Sequence, residues 1–149
     1  MLDRSGGATL HNPAGTYSGV YVLNTNIAGK TLSEINKLGF TYAGDDPAGA
    51  LRITVPVDTT GDGAWDDFVS AGADNCNDGA GNVNVITDAT CLVGFNGGTY
   101  YANWAALVAA NPTVTVATDA LPFVIADQEG DWTVSNVSIG RAGAKTTKR

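Results

Sequence analysis

The sequence predicts an all-β fold, a jelly-roll β-sandwich of about eight strands with one or two short helices. Nineteen glycines, with frequent Thr, Val, Asn and Asp and few Lys, Glu, Leu or Met, suit short strands joined by tight turns. Apolar residues fall in short runs bounded by Gly, Pro, Asn or Asp, with no long helical stripe. The length, 149 residues, is that of one domain, able to bury roughly 70% of its unfolded surface. With 15% charged and 44% apolar residues, the chain is neither a disordered tail nor a coiled coil.

Residues 1–16 read as an N-terminal arm, 17–140 as the sandwich and 141–149 as a basic flexible tail. The first strand is GVYVL at 19–23, between turn-rich flanks. TLSE at 31–34 has capping-box spacing and Gly39 follows as a stop, which predicts a helical turn near 32–38. Residues 40–42 form a second strand. Residues 51–57 form a third, where Pro56 implies a sheet edge or an irregular end. DTTGDG at 58–63 is a turn, and 64–69 return as the partner strand. The stretch from 70 to 84 reads as a long loop, with short strands at 85–86 and 91–93. ANWAALVAA at 102–110 is the best helix, stopped by Pro112. Strands follow at 113–116, 123–125 and 132–139. In the last, Trp132 and Val134 are out of phase with Val137 and Ile139, which predicts a bulge at Ser135-Asn136.

Four basic residues stand against fifteen acidic ones in residues 1–140, a net charge of −11. Such a body repels a phosphate backbone, so no nucleic-acid partner is expected for it. No apolar run reaches the roughly 20 residues of a membrane helix, so membrane insertion is not expected either. Cys76 and Cys91 lie in Gly/Asn/Asp-rich surroundings, and the only histidine is His11. A disulfide is the better reading than a metal site; closing this loop contributes roughly 3 kcal/mol and implies an oxidising destination. The start, MLDRSGG, has no apolar signal-peptide core. The expectation is therefore a piece of a longer secreted chain or a virion protein released by lysis.

Three segments carry a resemblance: VDTTGDG at 57–63, WAALVAANP at 104–112 and ADQEGDWTVSNVSIG at 126–140. Together they resemble poorly characterised jelly-roll domains, concanavalin-like or carbohydrate-binding-module-like, of secreted actinobacterial proteins and actinophage surface proteins. The closing segment is similar to the final strand of carbohydrate-binding jelly rolls. The resemblance covers roughly residues 30–140 and implies a surface module that binds glycans, decorates a particle or spaces other domains.

Residues 58–67 place oxygens at Asp58, Thr60 and Asp62, a carbonyl at Ala64, and carboxylates at Asp66 and Asp67. A calcium ion could use this spacing, but Val69 stands where an EF-hand has its bidentate glutamate. The alternative is a plain hairpin turn, with Gly61 and Gly63 at positive φ and the Asp and Thr side chains bonding back to the main chain. Tyr100 and Tyr101, behind Asn96, are the first choice for a ligand platform, and Trp65 the second, because a sugar's CH face stacks on a flat ring. Trp104 and Trp132 read as core. His11 has no G-x-S-x-G partner, only two glutamates exist, and no P-loop or Rossmann fingerprint is present. The expected function is non-catalytic: an extracellular or particle-surface module binding a glycan or a neighbouring protein, with homo-oligomers possible in principle. The alternative is a phage decoration protein stabilising a capsid or tail.

Overall fold

The computed structural model describes residues 7–47 and 49–141. The tail expected after Arg141 lies outside them. The strands are β1 (Ala8–Asn12), β2 (Ser18–Tyr21), β3 (Ile35–Gly44), β4 (Leu51–Asp58), β5 (Asp67–Gly72) and β6 (Asn82–Asn84). After these come β7 (Val93–Phe95), β8 (Tyr100–Tyr101), β9 (Thr115–Val116), β10 (Phe123–Ala126) and β11 (Gly130–Arg141). Two helices, α1 (Ala73–Cys76) and α2 (Trp104–Ala110), and a 3-10 turn at Leu32–Glu34 complete the chain.

The first sheet has the order β1-β11-β3-β6 and the second β2-β10-β4-β5-β7-β8, with β9 pairing β4; every pair is antiparallel. The first strand therefore lies beside the last, and the second beside the last but one in the other sheet. That interleaving is the jelly-roll order of two Greek keys. Strands β7, β8 and β9 are short additions to it.

Alternate residues of both sheets point into one core. Leu51, Ile53, Val55 and Val57 of β4 face Leu10, Trp132, Val134 and Phe40 of the first sheet within it. Trp132 is buried and its Nε1 donates to the Asp45 carbonyl at 3.0 Å; Trp104 is buried under α2 with Leu107. Both tryptophans are core, as their positions in the sequence suggest. Helix α2 starts where expected chemistry allows it, the Asn103 side chain accepting the Ala106 N–H. The Cys76–Cys91 disulfide forms and joins the end of α1 to the approach to β7.

Several local expectations are corrected. Residues 8–12 are not part of an arm but form β1, an outer strand of the first sheet. Arg141, assigned to the tail, ends β11. The helical turn at 32–38 stops at Glu34: the capping box forms, with Thr31 N–H donating to Glu34 Oε2, but Ile35 onward pairs with β11. Strand pairing outweighs the local helix signal there. Pro56 is not on an edge strand, because β4 is central. It sits where pairing with β10 has ended at Thr54 and pairing with β9 begins at Val57. Its carbonyl accepts the Ala117 N–H at 3.0 Å, so the absent proline N–H breaks no ladder. The 70–84 stretch is not one loop; it holds the end of β5, α1 and β6. The predicted bulge in β11 is present, with register slipping between Ser135 and Ser138 and Asn136 at φ 49°.

Candidate functional site

The register of the second sheet sets up its outer face. Tyr21 lies opposite Phe123, Phe123 opposite Thr54, Thr54 opposite Ser70, Ser70 opposite Gly94, and Gly94 opposite Tyr100. Directly opposed residues share a face. The next row inward reads Val20, Val124, Ile53, Ala71, Val93 and Tyr101, all belonging to or packed against the core. The first row must therefore point away from it. Six strands side by side make this outer row roughly 24 Å long.

One end of the row is aromatic. The Tyr21 and Phe123 rings meet edge-on with centroids 5.9 Å apart, Phe123 and Phe68 at 5.8 Å, and Phe68 and Trp65 at 4.9 Å. Tyr21 and Trp65 keep 68% and 48% exposure. With Asp119, Ala120 and Leu121 these four rings line an open groove of about 400 Å³. Asp119 is fixed beside it by accepting the Trp65 backbone N–H at 2.9 Å.

The middle of the row is polar. Thr54 Oγ1 lies 3.1 Å from Ser70 Oγ, which donates to Asn96 Oδ1 at 3.1 Å. Thr54 is buried and Asn96 exposed, so the chain of hydroxyls carries hydrogen-bond order from the sheet to its surface. At the far end the Tyr100 ring lies across Gly94: a side chain there would start 2.6 Å from Tyr100 Cδ1. Glycine leaves the room for that ring.

Of the residues chosen from sequence, Trp65, Asn96 and Tyr100 come together on this face. Tyr101 does not join them. It turns inward and meets Phe95 edge-on at 6.4 Å. Tyr21, Phe68, Phe123 and Leu121 were missed, although the alternation of Val20 with Tyr21 and of Phe123 with Val124 could have shown two aromatics pointing out.

The 58–67 loop, which carries Trp65 to this face, has its own internal bonding. Asp58 is buried, and its Oδ1 accepts from the Thr60 N–H (2.9 Å), the Gly61 N–H (2.7 Å) and the Thr60 hydroxyl (3.3 Å). Its Oδ2 accepts the Gly63 N–H at 2.6 Å. The Gly63 N–H most of all, with Gly61 and Thr60, holds this carboxyl below the ordinary carboxylate range against the opposing effect of burial. Gly61 and Gly63 have φ of 88° and 86°, the positive values the turn requires. Asp66 accepts from Thr59 N–H and Oγ1, Asp62 from the Ala64 N–H, and Asp67 from the Phe68 N–H. Each of these carboxylates accepts local N–H or O–H donors. The Asp and Thr side chains of the loop thus bond back to the main chain, as a tight turn requires. Among the described residues no three His, Cys, Asp or Glu side chains gather as a metal needs.

Asp78 spends its oxygens similarly, on the Asn82 amide and on the Ala80 and Asn82 N–H groups, and these lower its pKa. The half-buried Tyr42 has its pKa raised by burial first and by Asp46, Asp74 and Asp78 after it. No helix among the described residues is long and apolar enough to cross a membrane. No family model, curated protein or solved structure matches the chain.

Proposed function

We propose that the chain is a non-catalytic binding module, working outside the cell or on a particle surface, whose outer second-sheet face holds an extended glycan. The observation that carries this reading is the one cross-strand row: exposed rings at both ends and a hydroxyl–amide chain between them. Rings offer flat faces to the CH side of sugars, while Ser70, Asn96 and Asp119 supply partners for hydroxyls. A row of this length suits several sugar units rather than one. The buried disulfide fits an oxidising location.

The cluster of Tyr21, Phe68, Phe123 and Trp65 also gives a second reading some support. With the exposed Leu121 it is apolar enough to be covered by a neighbouring protein, as a capsid or tail decoration protein would require. A glycan array probed with the wild-type protein and with the Trp65→Ala and Tyr100→Ala variants tests the choice. The glycan reading expects binding that both variants lose. No glycan bound at millimolar concentration, with the protein instead found in purified virions, would favour decoration and overturn it.

A further inference from the structure

We infer that Asn96-Gly97 is a site of spontaneous chemical modification, at which Asn96 is converted to aspartate or isoaspartate without an enzyme. The chain has one Asn-Gly pair, and it occupies the exposed centre of the β7–β8 turn. The Gly98 N–H closes that turn on the Phe95 carbonyl at 2.9 Å, and Phe95 N–H bonds the Thr99 carbonyl at 2.9 Å. The Asn96 N–H is held by the Phe68 carbonyl at 3.0 Å. The Gly97 N–H, in contrast, donates to no acceptor among the described residues. It is the group that must lose its proton to become the nucleophile. Ser70 Oγ donates to Asn96 Oδ1 at 3.1 Å, which draws electron density from the amide carbon under attack. The nearest charged group is Asp67, whose Oδ2 lies 3.6 Å from the position a Gly97 Cβ would take.

In the reaction hydroxide takes the Gly97 amide proton and the nitrogen bonds to Asn96 Cγ. The Cγ–Nδ2 bond breaks, and ammonia leaves with a proton from water. The resulting five-membered imide is opened by water at either carbonyl. One opening gives aspartate at position 96; the other gives isoaspartate, with the main chain routed through the former side chain. Either product replaces the amide donors of Asn96 by a negative charge in the middle of the outer row. On the glycan reading, on which only this consequence rests, the ageing protein loses affinity.

Peptide mapping of the intact, folded protein after incubation in mildly alkaline buffer tests the inference without any ligand. The expected result is the mass change of amide-to-acid conversion confined to the Asn96 peptide, with isoaspartate the main product. The rate should rise with pH and stay within severalfold of the rate in denaturant. Gly97→Ala should slow it severalfold. That variant is expected to fold, because the new Cβ meets only the Asp67 carboxylate at contact distance and Gly97 is not at positive φ. A peptide that stays unmodified in the folded protein, or converts only in denaturant, would overturn the inference. So would equal rates with alanine at position 97.

Discussion

Tyr100 and Tyr101 are adjacent in the chain and belong to opposite faces of the second sheet. Tyr100 lies opposite Gly94 in the outer row and is 66% exposed, while Tyr101 lies opposite Val93 in the inner row and packs on Phe95. Their substitutions should therefore separate binding from stability. Tyr100→Ala is expected to weaken glycan binding by about 2 kcal/mol, close to thirtyfold, with the melting temperature unchanged. Tyr101→Ala should lower the melting temperature and leave affinity nearly intact. Calorimetric titration beside thermal melts would show the split; loss of affinity in both, or in Tyr101→Ala alone, would count against the row.

The Asp58 carboxyl has a lowered folded-state pKa, so it binds its proton more weakly in the folded than in the unfolded chain. Its contribution to stability is then fully present above the unfolded value of about 3.9 and is lost as pH falls through the folded one. Melting temperature should fall on acidification through that window, and Asp58→Asn should flatten the fall while lowering stability near neutral pH. Excess chelator at neutral pH should leave the wild-type midpoint in place. A drop would mean that a cation, not the N–H groups, holds the loop.

Removing the disulfide with Cys76→Ser and Cys91→Ser together should cost about 3 kcal/mol, a fall of roughly 6–12 °C for a domain of this size. Both cysteines belong to the core, at 1% and 0% exposure. Alkylation of the native protein without reductant should therefore label neither cysteine, and mass spectrometry reads this directly.

At Gly39, opposite Asn84, β6 lies close against β3. A Cβ there would start 2.2 Å from the Val83 carbonyl oxygen, so Gly39→Ala must push the two strands apart. The expected loss is about 1–3 kcal/mol, seen as a lower melting temperature and as faster amide exchange confined to β6. An unchanged melt would show that β6 shifts freely.

Much of the fold was legible because its signals are local. The slip between Val134 and Val137 announced the β11 bulge, and Asn136 supplies the left-handed residue that it needs. The strands missed from sequence have almost no apolar run to show. β1 buries only Ala8, Leu10 and Asn12, and β6 only Val83; each exists because a partner strand completes it. The site was legible in part. Trp65, Asn96 and Tyr100 stood out as loop-borne aromatic and amide groups, but nothing in the chain order brings Tyr21 and Phe123 beside Phe68. Only the jelly-roll order does, by inserting β10 between β2 and β4. Which of Tyr100 and Tyr101 turns inward was not legible, because alternation fixes that neighbours face opposite ways without saying which faces out.

The most direct test maps the contact surface. Backbone amide shifts would be followed by NMR while the strongest glycan from the array is titrated into the wild-type protein. The account predicts shifts at Tyr21, Trp65, Phe68, Asn96 and Tyr100, with Thr9 and Thr133 on the outer first sheet unmoved. Shifts confined to the first sheet or to the 58–63 turn would contradict it.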